Sequence, residues 1–493
     1  MSNWEWDNIV VKILSTIQNN DFNHPLNNFD TYNISGTGFF INKYQILTCY
    51  HVVEGAVSIN ILYNEMNEIL CNIKYIFPDD DLAIIEINDK TLKLDSHILE
   101  FKIINEKTKI INDIPVYAIG YPLSSKNIKI TKGGISGCQD SLIQTDAALN
   151  SGNSGGPLVI LENNIYKIIG VNVSKQSGDA QNTGYAIPIY RFISIYKDYS
   201  EMIIRRPLLL FDYQPIIQKE FKQNIFNNMD DTGIKITLLN KNYYLSQYLN
   251  ENDIIVSINN NKIDTNGYIK FDFYPEKIAV SDIGLWFKSD DIIKIGIFDV
   301  GTKKIINKEI KLKIIEENLL YYNNIPKGKT YYIENNGLIL SIITNQHLKK
   351  IKELNLSLNS IIKIFNRFSL QKDLFTVYLC DLNYNKINKT FNKYPMGEII
   401  IKINDLSFNN YTEFMKIVNN NIITKITTME NEEYYITNNI VDEPQPKEIK
   451  LEPNKILKLD TIKPQSGLNM NKHNILTHSN KSKSVINIYL LKN

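Results

Sequence analysis

The sequence predicts a mostly β protein, with an all-β first domain followed by two smaller, related modules. Short apolar segments recur through residues 1 to about 200, and turn residues separate them at short intervals. This spacing is typical of a sandwich or barrel rather than of parallel β–α–β units. Two turn–strand patterns then resemble each other, one at residues 249–259 and one at 397–404. Two related modules in tandem are the economical interpretation.

The strands expected in the first domain are apolar runs rich in β-branched residues, and turn-forming residues bound each run. A helix at Ile189–Tyr199 is expected to close this domain, and a helix at Tyr411–Val418 is expected in the last module. The predicted strands are Gly38–Ile41, Tyr44–Thr48, Val57–Leu62, Leu82–Ile87, Val116–Ile119 and Ile168–Val173.

The length of 493 residues is too great for one ordinary domain. Arg205-Arg206-Pro207 marks the first boundary, and we interpret the two arginines as a solvated linker rather than a cleavage site or a basic patch. The polar end of the chain is expected to be loosely ordered, with one docking strand at Val485–Leu491. The predicted units are residues 1–204, 205–316, 317–433 and a C-terminal extension, 434–493.

The charge balance of the chain gives no argument for a nucleic-acid partner, because 54 basic residues face 53 acidic ones. No apolar run is long enough to span a membrane. The four cysteines are scattered and show no metal spacing, which favours a reducing compartment and no metal site. With no signal sequence at the N-terminus, we expect an intracellular, cytoplasmic protein without a cofactor.

The candidate nucleophile is Ser154, which lies in the string Asn150–Leu158. Glycines at positions 152 and 155 permit the tight turn that exposes a serine hydroxyl and directs backbone amides toward one point. Ser, Gly and Asn also favour plain surface turns, so an isolated motif of this kind is a weak signal. The complete Gly-Asn-Ser-Gly-Gly-Pro string inside a β-rich domain is a strong one.

His51 is the candidate base, because a predicted strand ends just before it, whereas His24 and His97 lie in polar loops. Asp81 is the candidate that orients the base, since it alone of three consecutive aspartates abuts an apolar strand. Asp79 and Asp80 are expected to be solvated. The chain order His, Asp, Ser is that of the chymotrypsin arrangement and differs from those of subtilisin and α/β-hydrolases.

With these residues in place, most of residues 9–200 resembles the HtrA/Deg serine proteases. The resemblance implies a chymotrypsin-like double β-barrel, a catalytic triad of His51, Asp81 and Ser154, and an oxyanion hole formed by the amides of Gly152, Asn153 and Ser154. The matching strings are Ser35–Ile41, Leu47–Val53, Asp81–Ile84, Ala118–Pro122, Gln144–Asn150, Gly152–Leu158, Ile169–Asn172 and Gly184–Pro188.

The two later modules resemble, more weakly, the PDZ-like α+β domains of the plant-type Deg branch. PDZ domains bind a peptide by adding it as a strand, and backbone amides hold its terminal carboxylate. The resemblance places this loop in the first module at Gly233, Ile234 and Ile236, and in the second at Gly337 and Leu338. Each module either binds peptides or serves regulation and assembly.

At two positions this sequence differs from the pancreatic trypsins. Asn153 stands where an aspartate would pair with a freed N-terminus, so we expect activation by loop ordering or assembly rather than by propeptide cleavage. Ala148 gives the specificity pocket an uncharged base, which predicts cleavage after small or branched aliphatic residues. The resemblance also places Leu149, Asn172 and Val173 in this pocket, and a regulatory or plain surface loop at 174–183.

The expected function is ATP-independent hydrolysis of peptide bonds in unfolded or damaged proteins, through an acyl-enzyme intermediate. No Walker motif is visible in the sequence. The resemblance implies a homo-oligomer, either a trimer or a multiple of trimers. The alternative is a PDZ-based chaperone or peptide-binding protein with little proteolysis, and a processing protease of narrow substrate range is a third reading.

Overall fold

The computed structural model describes most of the chain between Trp6 and Ile436. The unit made of residues 442–493, which holds the predicted strand Val485–Leu491, lies outside the described residues. Within 6–436 the description omits 19–20, 27–30, 64–66, 95–96, 105–113, 140, 174–182, 197–201, 219–221, 223–225, 227–231, 240–242, 315–330, 355, 370–374 and 383–395.

The first sheet closes into a six-stranded antiparallel barrel, with the strand order β1-β2-β3-β6-β5-β4. Closure comes from β1, which pairs with both β2 and β4. From Ile59 to the end of β4 every second residue is buried, as expected for a strand with one face toward the core. The strands are β1 (Val10–Gln18), β2 (Thr31–Phe40), β3 (Gln45–Cys49), β4 (Ala56–Tyr63), β5 (Asn67–Phe77) and β6 (Leu82–Ile87).

The second sheet also closes, because β11 pairs with both β8 and β12 in the order β11-β8-β9-β10-β13-β12. A short parallel strand, β7, extends the sheet beside β12. Residues 10–188 therefore form a double β-barrel, as predicted. The strands are β7 (Glu100–Phe101), β8 (Pro115–Gly120), β9 (Lys129–Gln139), β10 (Leu142–Thr145), β11 (Pro157–Glu162), β12 (Ile165–Val173) and β13 (Gly184–Pro188).

The closing helix of this domain is shorter than predicted. Helix α1 spans only Ile189–Ile193, and turns continue from it to Tyr196. Phe192 is fully buried and packs against the tilted ring of Tyr196, with the ring centroids 4.6 Å apart, so these residues cover the barrel core without a further helical turn. Short 3-10 turns join the strands at Trp6–Asn8, Tyr50–Val52, Pro78–Asp80 and Pro122–Ser124.

A second module follows, built on a sheet of order β14-β15-β16-β20-β21 with β17 paired to β16. A separate hairpin, β18–β19, and 3-10 turns at Tyr244–Gln247 and Val280–Trp286 complete its described part. Its core is distinct from that of the barrels. The strands are β14 (Phe211–Pro215), β15 (Ile234–Leu239), β16 (Ile254–Ile258), β17 (Asn261–Lys262), β18 (Tyr268–Lys270), β19 (Lys277–Ala279), β20 (Ile292–Asp299) and β21 (Lys304–Lys311).

A third module combines helices with a sheet of order β22-β23-β24-β25-β27-β28, with β26 paired to β25. Its strand β28 ends at Tyr435, so the last two residues of the strand lie within the predicted C-terminal extension, 434–493. The elements are β22 (Tyr332–Asn335), β23 (Leu338–Ile342), α2 (Asn345–Lys349), a 3-10 turn (Ile351–Glu353), α3 (Leu358–Ser369), β24 (Val377–Leu382), β25 (Ile399–Ile403), β26 (Leu406–Ser407), α4 (Tyr411–Asn420), β27 (Lys425–Thr428) and β28 (Glu433–Tyr435).

The two turn–strand patterns of the sequence form equivalent hairpins. In the second module, β16 turns at Asn259-Asn260 into β17, and in the third, β25 turns at Asn404-Asp405 into β26. All four turn residues have positive φ, a conformation that Asn and Asp tolerate better than most residues. The expected helix that follows the second pattern is present as α4.

The third module also contacts the first barrel. Phe22, from the connection between β1 and β2, is buried in a cluster of third-module residues and lies 4.1 Å, centroid to centroid, from His347. His24 pairs with Asp381 at 2.9 Å. No helix among the described residues has the length and apolarity needed to cross a membrane.

Candidate active site

His51 stands where the first barrel opens, in the 3-10 turn that follows β3. The Tyr50 amide continues the β3–β6 register, in which Cys49 lies opposite Leu82, by donating to the Asp81 carbonyl at 2.9 Å, and the 3-10 turn begins at this residue. Tyr50 and Val52 are buried on either side, which leaves the imidazole between them directed outward. The His51 side chain is 41% exposed to solvent, so it can contact a substrate.

Asp81 holds His51 at two points. Its Oδ2 lies 2.7 Å from His51 Nδ1, and its Oδ1 accepts the His51 backbone amide at 3.0 Å. Asp81 itself ends the Pro78–Asp80 turn in the left-handed conformation, with φ 52°. Paired in this way, the carboxylate favours the imidazole tautomer that carries its proton on Nδ1 and leaves Nε2 able to accept a proton.

The surroundings of His51 shift its affinity for protons. Burial lowers the pKa of the imidazole, but the hydrogen bond and charge of Asp81, with the charge of Glu54, outweigh burial and leave the pKa raised. A base of this kind has gained affinity for the proton that it must take from a hydroxyl.

The turn that carries Ser154 is built around Gly152. The Asn153 amide donates to the Asn150 carbonyl at 3.0 Å, and Gly152 has φ +96°. Leu123 donates its amide to the Ser151 carbonyl at 2.6 Å, which directs that oxygen toward the Pro122–Ser124 turn. Because the Asn153 amide is committed to the turn, the prediction that it serves the oxyanion hole is wrong, and Gly152 and Ser154 remain as the candidate donors.

Backbone contacts bring Ser154 to the end of β3. Its carbonyl accepts the Thr37 amide at 2.9 Å, and the next amide, that of Gly155, donates to Asn172 at 2.9 Å. A side chain on Gly155 is excluded, because its Cβ would lie 2.2 Å from Thr48 Oγ1 and 2.9 Å from the Cys49 amide. The nucleophile turn therefore packs against residues two and three positions before His51.

Thr37 is a site residue that the sequence reasoning did not single out. Its hydroxyl donates to the Gly152 carbonyl at 2.6 Å and accepts the Tyr121 amide at 3.0 Å. Thr37 is fully buried, and these bonds tie β2 of the first barrel to the nucleophile turn of the second. The sequence signal that could have indicated Thr37 is its position in the Ser35–Ile41 string, which matches the HtrA/Deg proteases.

Cys49 lies close enough to His51 and Asp81 for the three to be examined as metal ligands, since their donor atoms lie within 4.8 Å of one another. The Cys49 thiol is fully buried and donates to the Asn172 carbonyl at 3.3 Å. Burial raises the pKa of this thiol well above its ordinary value. A metal ligand must be a thiolate, so this trio is a poor metal site.

The predicted specificity-pocket residues lie on β12 and on the segment that follows β10. Ala148 is exposed, whereas Asn172 and Val173 are buried and pair with β13. Leu149 is half-buried and packs against Gly184, whose Cβ would lie 2.8 Å from Leu149 Cδ1. Leu149 therefore occupies space next to the predicted base. Nearly all of the proposed regulatory loop at 174–183 lies outside the described residues.

Two predictions about charged residues near Asp81 are wrong. Asp79 and Asp80 are not solvated, and Asp80 is only 2% exposed. Arg205 and Arg206 are buried as well rather than forming a solvated linker. The four residues pair with one another, because a buried charge needs a partner of opposite sign.

The predicted peptide-binding residues do not lie on free strand edges. Gly233, Ile234 and Ile236 belong to or precede β15, which has β14 on one side and β16 on the other. Gly337 lies in the turn between β22 and β23, and Leu338 begins β23, which pairs with β24 on its other edge. Strand addition needs unpaired backbone groups, so these strands do not offer the predicted site.

The geometry agrees with what comparison with known proteins finds. A family described as "trypsin-like peptidase domain" matches residues 36–171, which include all three predicted triad members. The serine protease Do-like HtrA of Bacillus subtilis is 28% identical over 318 residues, 58% of this chain and 65% of the relative. Protease Do-like 4, mitochondrial, of Arabidopsis thaliana is 28% identical over 278 residues, 54% of this chain and 52% of the relative.

Among solved structures, the HtrA-type protease AlgW with decapeptide is 21% identical, with a TM-score of 0.45, and the match covers 63% of this chain and 97% of that one. The chain spans between about half and two thirds of the length of the two curated relatives named above. The peptidase-domain match and these relatives agree on one assignment. Residues 36–171 form a trypsin-like peptidase domain, and the chain is similar to Do-like serine proteases of the HtrA type.

Proposed function

We propose that this chain is a serine endopeptidase that cleaves unfolded or damaged proteins without ATP. The observation that carries the proposal is the double contact between Asp81 and His51, at 2.7 and 3.0 Å, beside a glycine-flanked serine turn. An arrangement that fixes both the tautomer and the orientation of an imidazole serves proton transfer. A surface turn with no catalytic role does not require these two contacts.

In the proposed reaction, Ser154 Oγ bonds to the carbonyl carbon of the scissile peptide while His51 Nε2 takes the hydroxyl proton. The negative oxygen of the tetrahedral intermediate is stabilised by the amides of Gly152 and Ser154. The C–N bond then breaks, and His51 gives its proton to the departing amine. Water then gives a proton to His51 and attacks the carbonyl carbon of the acyl-enzyme. The ester bond to Ser154 breaks, and His51 returns the proton to Ser154 Oγ, which restores the free hydroxyl.

The substrate is proposed to be an extended peptide segment, which a folded protein exposes only when damaged. The two later modules are proposed to be PDZ-like and to assist by binding peptide, although not at the strands first predicted. In the second module the described sheet ends at β14, so an added peptide would pair with that strand. A depression of about 430 Å³ beside it is lined by Gln214, Pro215, Ile216, Ile217, Gln218 and Lys235.

Assembly and compartment belong to the same proposal. The family resemblance favours a trimer or a multiple of trimers, which light scattering on the purified chain would measure. All four cysteines are free, and three of them are buried, which suits a reducing compartment.

The test compares cleavage of an unfolded protein, reduced and carboxymethylated to keep it open, by the wild type and by Ser154→Ala. The wild type is expected to produce new peptides, and the variant none above background. Equal and negligible cleavage by both would instead support the alternative of a peptide-binding or chaperone protein.

A further inference from the structure

We propose that Arg206, acting with Arg191 through the carboxylate of Asp80, positions Asp81 against His51 and so links the second module to the catalytic base. This inference rests on the proposed peptidase function. The groups involved are the arginine–aspartate cluster, defined as Asp79, Asp80, Arg191, Arg205 and Arg206. Each of these residues is buried or nearly so.

Asp80 is held from two directions. Its Oδ1 accepts Nε of Arg191 at 2.7 Å, and its Oδ2 accepts Nε of Arg206 at 2.7 Å. The side chains of Asp80 and Arg206 are each only 1% exposed. Charge-assisted bonds of this length in a buried site fix the geometry of both partners.

Asp79 adds further ties to the same turn. Its Oδ1 pairs with Arg205 at 2.9 Å, and its Oδ2 accepts the Arg206 backbone amide at 2.7 Å. The Asp79 carbonyl also accepts Arg191 Nη2 at 3.3 Å. The two aspartates form most of the Pro78–Asp80 turn, so the cluster holds nearly the whole of it.

That turn ends at Asp81, which explains why the cluster matters for the base. Asp81 is in the left-handed conformation, which is uncommon for a residue with a Cβ, although Asp tolerates it better than most residues. The direction of its carboxylate depends on the two preceding residues. Releasing Asp80 would let the turn relax and would loosen both contacts to His51.

Arg206 also reaches the second module. Its Nη1 donates to the Phe287 carbonyl at 3.1 Å, and on the barrel side to Ser194 Oγ at 3.3 Å. The following residues are packed tightly, because a Cβ on Gly284 would lie 2.6 Å from Leu208 Cα. One guanidinium therefore contacts the barrel domain, the second module and the turn before Asp81.

The experiment measures the pKa of the His51 imidazole by NMR of the full chain with ¹⁵N-labelled histidine, together with kcat and KM on a peptide substrate. The variants are Arg206→Lys and Asp80→Asn, with Arg206→Met as a stronger change. The matched control is Asp282→Asn, which removes the negative charge from the acceptor of a 3.0 Å hydrogen bond donated by Ser141 between the same two modules but leaves the cluster intact.

The expected result is a lower pKa of His51 in the folded Arg206→Lys and Asp80→Asn proteins, because the imidazolium loses support from Asp81. We expect kcat to fall by about 100-fold, the cost of roughly 1 Å of misplacement, with KM nearly unchanged. Asp282→Asn should leave both the pKa and kcat unchanged.

An unaltered His51 titration in folded Arg206→Lys and Asp80→Asn would overturn the inference. A change of equal size in Asp282→Asn would also overturn it, since the effect would then belong to any loosened contact between the modules. The titration does not depend on turnover. A chain that shows these pKa changes but cleaves nothing would contradict the proposed function and leave the positioning role in place.

Discussion

Asp81 contacts His51 through both carboxylate oxygens, one at the ring nitrogen Nδ1 at 2.7 Å and the other at the backbone amide at 3.0 Å. The same carboxylate thus fixes where the histidine lies along the chain and how its ring is turned. Neither contact alone would do both. These two contacts explain how Asp81 can fix the orientation of His51 although the histidine side chain remains partly exposed to solvent.

The pH dependence of kcat/KM should report this contact. Activity requires neutral His51, so it should be lost as pH falls through the imidazole pKa, which stands above its ordinary value of about 6.5. Asp81→Asn should move this acidic limb to lower pH and lower kcat by about 10,000-fold. An acidic limb at or below the ordinary value in the wild type would contradict the assignment.

Thr37 should matter for the nucleophile turn through its hydroxyl alone. Thr37→Val keeps the shape but leaves the Gly152 carbonyl and the Tyr121 amide without this partner. We expect a loss of about 1–3 kcal/mol in the free energy of unfolding and a fall of about 100-fold in kcat. Thr37→Ser retains the hydroxyl and is the control, which should keep most of the activity. Equal rates for the two variants would rule out a role for this bond.

The specificity pocket should favour small or branched aliphatic residues, such as Val, Ala, Ile or Leu, at the cleaved position. Its predicted base, Ala148, is uncharged, and Leu149 packs against Gly184 beside it. A peptide library should therefore show no preference for Arg or Lys. Leu149→Ala should widen the preference toward larger apolar side chains. Dominant cleavage after Arg or Lys would refute this view of the pocket.

His347 should make the third module sensitive to acid. It is fully buried, its Nδ1 accepts the Thr344 amide at 3.2 Å, and burial lowers its pKa to about 3. The unfolded chain takes up a proton below about pH 6.5 and the folded chain does not, so stability falls as pH drops. Between pH 6.5 and 5 the loss is about 2 kcal/mol.

The acid effect can be measured as the free energy of opening from hydrogen exchange on third-module peptides, corrected for the intrinsic exchange rate. His347→Gln carries no titrating ring and should show a shallower dependence between pH 6.5 and 5. If the variant and the wild type lost stability in parallel, His347 would not be the responsible group.

The strands and the triad order could be predicted from the sequence because they depend on local patterns. Leu82–Ile87 is an apolar run next to an aspartate, and it forms the strand that this pattern indicates. The Asn-rich turns at 259–260 and 404–405 are equally local, since Asn tolerates positive φ. The predicted domain boundaries and the oligomeric state stay predictions.

The burial of Asp79, Asp80, Arg205 and Arg206 could not be predicted, because it depends on partners more than 100 residues apart. Each half of this cluster alone has the composition of a solvated segment. The prediction of peptide-binding residues on β15 and β23 is wrong for a related reason. Whether β15 has a free edge depends on which strand pairs beside it, and β14 occupies that edge.

The central claim is that Ser154 is an activated nucleophile, and covalent labelling with a fluorophosphonate probe tests it most directly. The probe reacts with a serine only where a base and an oxyanion site act together. We predict modification of the wild type at Ser154, mapped by peptide mass spectrometry, and its loss in His51→Ala. A folded wild-type chain that remains unmodified, or that is labelled at another serine, would contradict the account.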